Sequence, residues 1–220
     1  MASKIYVVRH AESAHNVSKD FNLRDPGLTE LGLAQSVGLA TSFPALSSVA
    51  VVLASPLSRT IETTLAAFGA IIDKRHVGSD IGEEGGAELI LDPGLQERSD
   101  LPCDTGSDVA TLKSKYPDLD LAHLETEWYL KKGEFTADDA AVEARARALR
   151  RKLKAIVDRL GAEGDNPHAG KRDIVVVTHG VFMKFLVQDE TIDLPKAGWR
   201  VYTIIKEGDG DAVSLVANDQ

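Results

Sequence analysis

The stretch Lys4-Ile5-Tyr6-Val7-Val8-Arg9-His10-Ala11-Glu12-Ser13 joins a short apolar run, rich in β-branched residues, to an abrupt polar end. The run reads as a strand buried on both faces, and the polar end as chemistry placed at the carboxyl edge of a parallel sheet. Asp173-Ile174-Val175-Val176-Val177-Thr178-His179-Gly180 repeats the pattern and again delivers a histidine at the strand's end. Two such strands lying side by side would bring the two imidazoles together.

Outward from these runs, β-like and α-like segments alternate, which calls for a mainly parallel sheet covered on both faces. The expected fold is α/β: a three-layer α/β/α sandwich with a mostly parallel sheet of about six strands and one antiparallel edge strand. Ala14 to Pro26 reads as a loop with one helical turn at most. Thr29 reads as the N-cap of a helix over Glu30 to Ser42, with Leu31, Ala34, Gly38 and Leu39 at helical spacing. Val49 to Ala54 is a second buried strand, followed by a helix from about Ser58 to Phe68. Glu88 to Leu91 is a weaker third strand.

A long helix opens at a capping-box-like Thr136/Asp139 pair and ends at Gly161. Its apolar stripe is Val142, Ala146, Leu149, Leu153, Ile156 and Leu160. Arg145, Arg147, Arg151, Lys152 and Lys154 on the same helix read as a solvated face. Val181 to Val187 reads as a helix beneath the second histidine. Trp199 to Lys206 and Val213 to Ala217, joined by Gly208-Asp209-Gly210-Asp211, read as a hairpin that adds the antiparallel edge. Between 78 and 136 the pattern is poor. Ser107 reads as the cap of a short helix, and Leu121 to Gly133 fits either helix or extended chain. This region is expected to be a substrate-side insertion in one domain spanning 1–220.

With 220 residues, the chain is long enough for one α/β domain with a sizeable core. A net charge of −9 opposes a general nucleic-acid or membrane-surface role, so neither is expected as a partner. A single cysteine, Cys103, forbids an intramolecular disulfide and fits a reducing compartment. Met-Ala-Ser-Lys leads straight into the first strand without a signal-peptide pattern, and no apolar run approaches ~18 residues. A cytoplasmic location follows as the expectation, with monomer and homodimer both open.

Arg9 and His10 from the first strand, Arg59 after the second and His179 after the fourth would converge at one sheet edge. Guanidinium forks match phosphate oxygens, and a neutral imidazole is a capable nucleophile. Ser58-Arg59 also lies near an expected helix N-terminus, which favours an anion. The natural guest is a phosphoryl group. No Gly-x-Gly-x-x-Gly follows any strand, which disfavours a dinucleotide-binding protein.

Arg9-His10-Ala11-Glu12-Ser13-Ala14-His15-Asn16 resembles the signature of the histidine phosphatase superfamily, phosphoglycerate-mutase-like branch. Leu28 to Gln35, Ser55 to Thr63, Leu95-Gln96-Glu97 and Thr178-His179-Gly180 are similar to four further motifs of that family, in order. The resemblance implies that His10 attacks phosphorus and becomes phosphohistidine. It implies that Arg9, Arg59 and His179 hold the phosphoryl oxygens, with Asn16 and the Gly180 backbone assisting. Glu97 would protonate the leaving oxygen and then activate water, a role that calls for a raised pKa and an activity optimum below neutral. No metal and no cofactor are implied, and the partner is a small phosphorylated substrate. The family most often has glycine where this chain has Ala11; a positive φ there would strain alanine by about 1 kcal/mol.

The resulting expectation is a metal-independent phosphomonoesterase. The alternatives are a cofactor-dependent phosphoglycerate mutase-type phosphoryl transfer, or a non-catalytic phosphate-binding module. Glu12 and Glu62 are expected to orient the arginines. His15, His76, His123 and His168 are expected to be structural, and Cys103 an idle thiol. Trp128 and Tyr129 fit a substrate pocket and core packing equally. Asp100, Asp104 and Asp108 point to a neutral or cationic leaving group.

Overall fold

The computed structural model describes residues 2–162, 170–208 and 212–218. Six strands form one sheet: β1 (Ile5–Arg9), β2 (Val49–Ala54), β3 (Glu88–Leu91), β4 (Asp173–Thr178), β5 (Trp199–Lys206) and β6 (Val213–Ala217). Among the described residues seven α-helices accompany them: α1 (Ala14–Ser18), α2 (Glu30–Ser42), α3 (Ser58–Phe68), α4 (Lys74–Val77), α5 (Val109–Lys115), α6 (Asp139–Gly161) and α7 (Phe182–Val187). The sheet order is β3-β2-β4-β1-β5-β6. The first four strands are mutually parallel, β5 runs antiparallel to β1, and β6 runs antiparallel to β5. The expected hairpin is therefore present. The turn residues 209–211 and His168 lie outside the described residues.

Alternation along the buried strands divides the core between the two faces of the sheet. Ile5, Val7, Ile174 and Val176 pack with Val142, Leu149 and Leu153 of α6 and Phe182 of α7. Tyr6, Val8, Val175 and Val177 face the other way, toward Leu39, Ile61, Phe68 and Leu112. Strands β2 and β4 are buried throughout, which is why they read as unbroken apolar runs. No helix among the described residues is long and apolar enough to cross a membrane.

Several local expectations change. Helix α2 begins where expected, with the Thr29 hydroxyl accepting from Gly32 N, but it buries Gly32, Ser36 and Leu39 and exposes Leu31. Its inward face is small because a Cβ at Gly32 would lie 1.9 Å from the Glu12 carbonyl oxygen. The α6 cap is Asp138, which accepts from Ala141 N, while Thr136 donates to Asp138. Asp108, not Ser107, caps α5. Of Leu121 to Gly133, residues 121–132 form no regular helix or strand, and Gly133 opens a single 3-10 turn.

Arg145 is not on a solvated face. It is 3% exposed, and its Nη1 donates to the carbonyls of Gly94 at 3.0 Å and Gln96 at 3.1 Å. Burial pulls its pKa down to about 10, and its guanidinium lies over the Phe182 ring. Arg150, also buried, donates to the carbonyls of Phe185 and Leu186. Two α6 arginines therefore brace the loop before Glu97 and the end of α7.

Candidate active site

Strand register sets the site. Arg9 pairs with Thr178 across β1 and β4, so the residues that follow, His10 and His179, leave the sheet side by side. Their ring centroids are 5.2 Å apart. Neighbours in a regular strand point to opposite faces, so Arg9 and His10 could share a ligand only if the strand broke between them. It does: β1 ends at Arg9, and His10 N donates to Thr178 O. Ala11 does not take a positive φ, so alanine is unstrained there, and its N–H donates to the Thr63 hydroxyl.

His10 is buried, with Nδ1 2.7 Å from the Ala11 carbonyl. A carbonyl only accepts, so Nδ1 carries the proton and Nε2 keeps its lone pair. Arg59 Nε donates to that nitrogen at 3.3 Å. Burial first, then the charges of Arg59 and Lys196, hold the His10 pKa well below its usual value. The imidazole is neutral at pH 7 and suited to attack. His179, fully buried, is held neutral by the same causes, burial and Arg59. Its Nε2 meets the Ser55 hydroxyl at 2.9 Å, and its buried Nδ1 has no hydrogen-bond partner.

Both arginines arrive, each already paired. Arg59 Nη2 meets Asp104 at 2.7 Å, and its Nη1 donates to the Cys103 carbonyl at 2.6 Å. Arg9 Nη1 donates to Asp193 at 2.8 Å and to Leu194 O at 2.5 Å. A Cβ at Gly180 would sit 3.0 Å from Arg9 Nη2, so the glycine lets the guanidinium lie against the chain. The Asn16 amide lies by the His15 ring, with Nδ2 3.0 Å from Nε2. Glu97 accepts from Arg98 N, Val181 N and Phe182 N. Each of these bonds uses a carboxyl oxygen as acceptor, and together they fix the carboxyl group against the start of α7. Arg9, His10, Asn16, Arg59, Glu97 and Gly180 line one pocket of about 480 Å³.

Other expectations fail on specific contacts. The N-terminus of α3 does not await an anion, because the Asp25 carboxylate accepts from Ser58 N and from the Ser58 hydroxyl. Glu12 accepts from Thr29, and Glu62 from Leu28 N, Tyr116 and Lys115; neither orients an arginine. Of the two readings left open for Trp128, core packing holds. Asp108 caps a helix and Asp104 serves Arg59, so neither is left for a cationic leaving group.

His15 is not remote from the chemistry. His15, Cys103 and Asp104 offer ligand atoms within 4.8 Å of one another on the pocket wall. Three features oppose a cation there. Burial, then the charges of Arg59, Lys196 and Lys19, hold the His15 pKa at about 4 against the pull of Asp104, and those charges repel a cation. Burial lifts the Cys103 thiol to about 11, and Asp104 is engaged by Arg59. Lys131, Lys184, Lys196 and Asp193 also belong to the site or its walls, and motif reading missed them. They lie on unpatterned loops or on a helix face, where nothing in the local sequence marks them.

Comparison with known proteins places this sheet edge in a class. The chain matches the histidine phosphatase superfamily (branch 1) over residues 5–207, and it belongs to that family. It is 27% identical over 211 residues to a probable phosphatase of Schizosaccharomyces pombe, covering 89% of this chain and 87% of that one. It is 30% identical over 149 residues to a phosphoglycerate mutase-like protein of Arabidopsis thaliana, covering 56% of this chain and 55% of the relative. A mycobacterial glucosyl-3-phosphoglycerate phosphatase shares the fold with a TM-score of 0.58 at 19% identity, covering 100% of this chain and 99% of that one. A phosphoserine phosphatase of Entamoeba histolytica does so with a TM-score of 0.53 at 17% identity, covering 99% and 98%.

Proposed function

We propose that this protein is a phosphomonoesterase that works through phosphohistidine on His10. The observation that carries the reading is the placement of the His10 ring, with Nδ1 2.7 Å from the Ala11 carbonyl and Nε2 3.3 Å from Arg59 Nε in the pocket. Nε2 attacks phosphorus, the N–P bond forms, and the P–O bond to the leaving alcohol breaks. Glu97, on the same wall, gives the leaving oxygen its proton. Water then attacks the phosphoenzyme, Glu97 takes a proton from it, and the N–P bond breaks to release inorganic phosphate and restore His10.

Arg9, Arg59 and His179 hold the charge on the phosphoryl oxygens; removing one such donor costs ~10²–10³ in rate. His179 Nδ1, buried without a partner, is free for an oxygen of the bound phosphoryl group. The Asp104 carboxylate on Arg59 marks a position that a phosphoryl oxygen takes over. Because the guanidiniums supply the positive charge and the neutral His179 ring a hydrogen-bond donor, the reading needs no metal. The region from 78 to 136, which carries Glu97 and Asp104, forms the substrate side. The experiment is hydrolysis of phosphate monoesters by the native chain and by His10→Ala, each with and without EDTA. Turnover should require His10 and survive chelation.

A further inference from the structure

The walls beyond the phosphoryl seat carry charge that the chemistry above does not use. Lys184, on α7, and Lys196, before β5, both line the pocket. Neither ammonium has a hydrogen-bond or ion-pair partner among the described residues. Three carboxylates reach the same walls, and each is committed. Glu97 accepts backbone N–H groups, Asp104 serves Arg59 and the Ser99 hydroxyl, and Asp193 serves Arg9. Both phosphate-holding guanidiniums thus have a carboxylate paired with them, while neither lysine has an ion-pair partner among the described residues.

We infer that Lys184 and Lys196 form a subsite for a second anionic group, a carboxylate or a second phosphate, carried by the leaving group. The inference rests on the phosphatase reading and reverses the neutral or cationic leaving group expected from Asp100, Asp104 and Asp108. A partly buried ammonium among cations is poorly stabilised, and an incoming anion offsets both its desolvation and the repulsion. Lys196 shows that strain: burial, then Arg9 and Arg59, outweigh the attraction of Glu97 and Glu12 and lower its pKa to about 8. The exposed side chains of Phe21, Leu101 and Val181 also line this pocket and offer contact to the carbon skeleton between the two anions.

The test uses matched esters. Calorimetry on His10→Ala compares 3-phosphoglycerate with glycerol 3-phosphate, which differ in a carboxylate. It then compares fructose 1,6-bisphosphate with fructose 6-phosphate, which differ in a phosphate. Binding should favour the acidic member of at least one pair by about tenfold, and the favoured pair identifies the anion. Adding Lys184→Met or Lys196→Met should shrink that ratio severalfold. A ratio is insensitive to the fraction of protein folded, so a damaged variant cannot imitate the result. No preference in either pair, or variants that weaken both members equally, would overturn the subsite. Absence of turnover by the native chain would instead remove the phosphatase reading, while the binding ratio still reports on the lysines.

Discussion

At the residue scale, the chemistry turns on which groups are already satisfied. Arg59 has every kind of N–H occupied: Nε on His10, Nη1 on the Cys103 carbonyl and Nη2 on Asp104. Phosphate must compete with Asp104 for that guanidinium. Asp104→Asn removes the competing charge but keeps an acceptor oxygen. Inorganic phosphate should then inhibit about tenfold more strongly, measured as a competitive inhibition constant. The thermal midpoint should fall as well, since a buried guanidinium has lost its counter-ion. Unchanged phosphate inhibition would show that Asp104 and phosphate do not share Arg59. Glu97 offers a second measurement. Glu97→Gln keeps the shape and removes the transferable proton, so kcat should fall ~10²–10⁴-fold with KM little changed.

At the scale of elements, the buried strands were legible because burial on both faces leaves an apolar run with sharp polar ends. Val49–Ala54, Asp173–Thr178 and both hairpin strands lie within the spans expected from sequence. The Thr29 cap was legible too, while the caps of α5 and α6 lie one or two residues from where the sequence pointed. Pairs joined across the fold were not. Asp25 reaches Ser58, Arg59 reaches Asp104, and α6 sends Arg145 to Gly94 and Gln96. No periodicity records such partners, and for Arg145 the helical charge pattern pointed the wrong way. The stretch from 78 to 136 was opaque because, apart from β3 and α5, it is built from short turns held by side chains from distant segments, such as Arg24 on the Gly106 carbonyl. Arg145→Met tests one such contact. Two buried carbonyls lose their donor, so unfolding free energy should drop by about 2 kcal/mol. Because that loop leads to Glu97, kcat should fall about tenfold while phosphate binding changes little. A stability loss with kcat unchanged would separate Arg145 from the positioning of Glu97.

At the scale of the molecule, the site imposes a pH dependence on stability. His10 and His179 are held well below their usual pKa, and His15 at about 4, each mainly by burial. In the unfolded chain all three titrate near 6.5. Below that pH the unfolded state binds more protons than the folded state, so stability falls as pH drops. For His15 the loss continues down to about pH 4. The urea midpoint should therefore decrease from pH 7 to pH 5, and His15→Gln should flatten the slope. A midpoint independent of pH across that range would contradict the buried neutral imidazoles. The same cationic field that keeps them neutral is what a phosphoryl group would meet, in a chain whose net charge is −9.

The central claim, covalent catalysis by His10, has one direct test. The native chain is mixed with a phosphomonoester in the presence of EDTA, quenched during turnover, and examined by mass spectrometry under alkaline conditions that preserve phosphohistidine. A single phosphoryl group on His10, absent from His10→Ala along with turnover, is the predicted result. Hydrolysis that persists in His10→Ala, or that disappears with the chelator, would contradict the account.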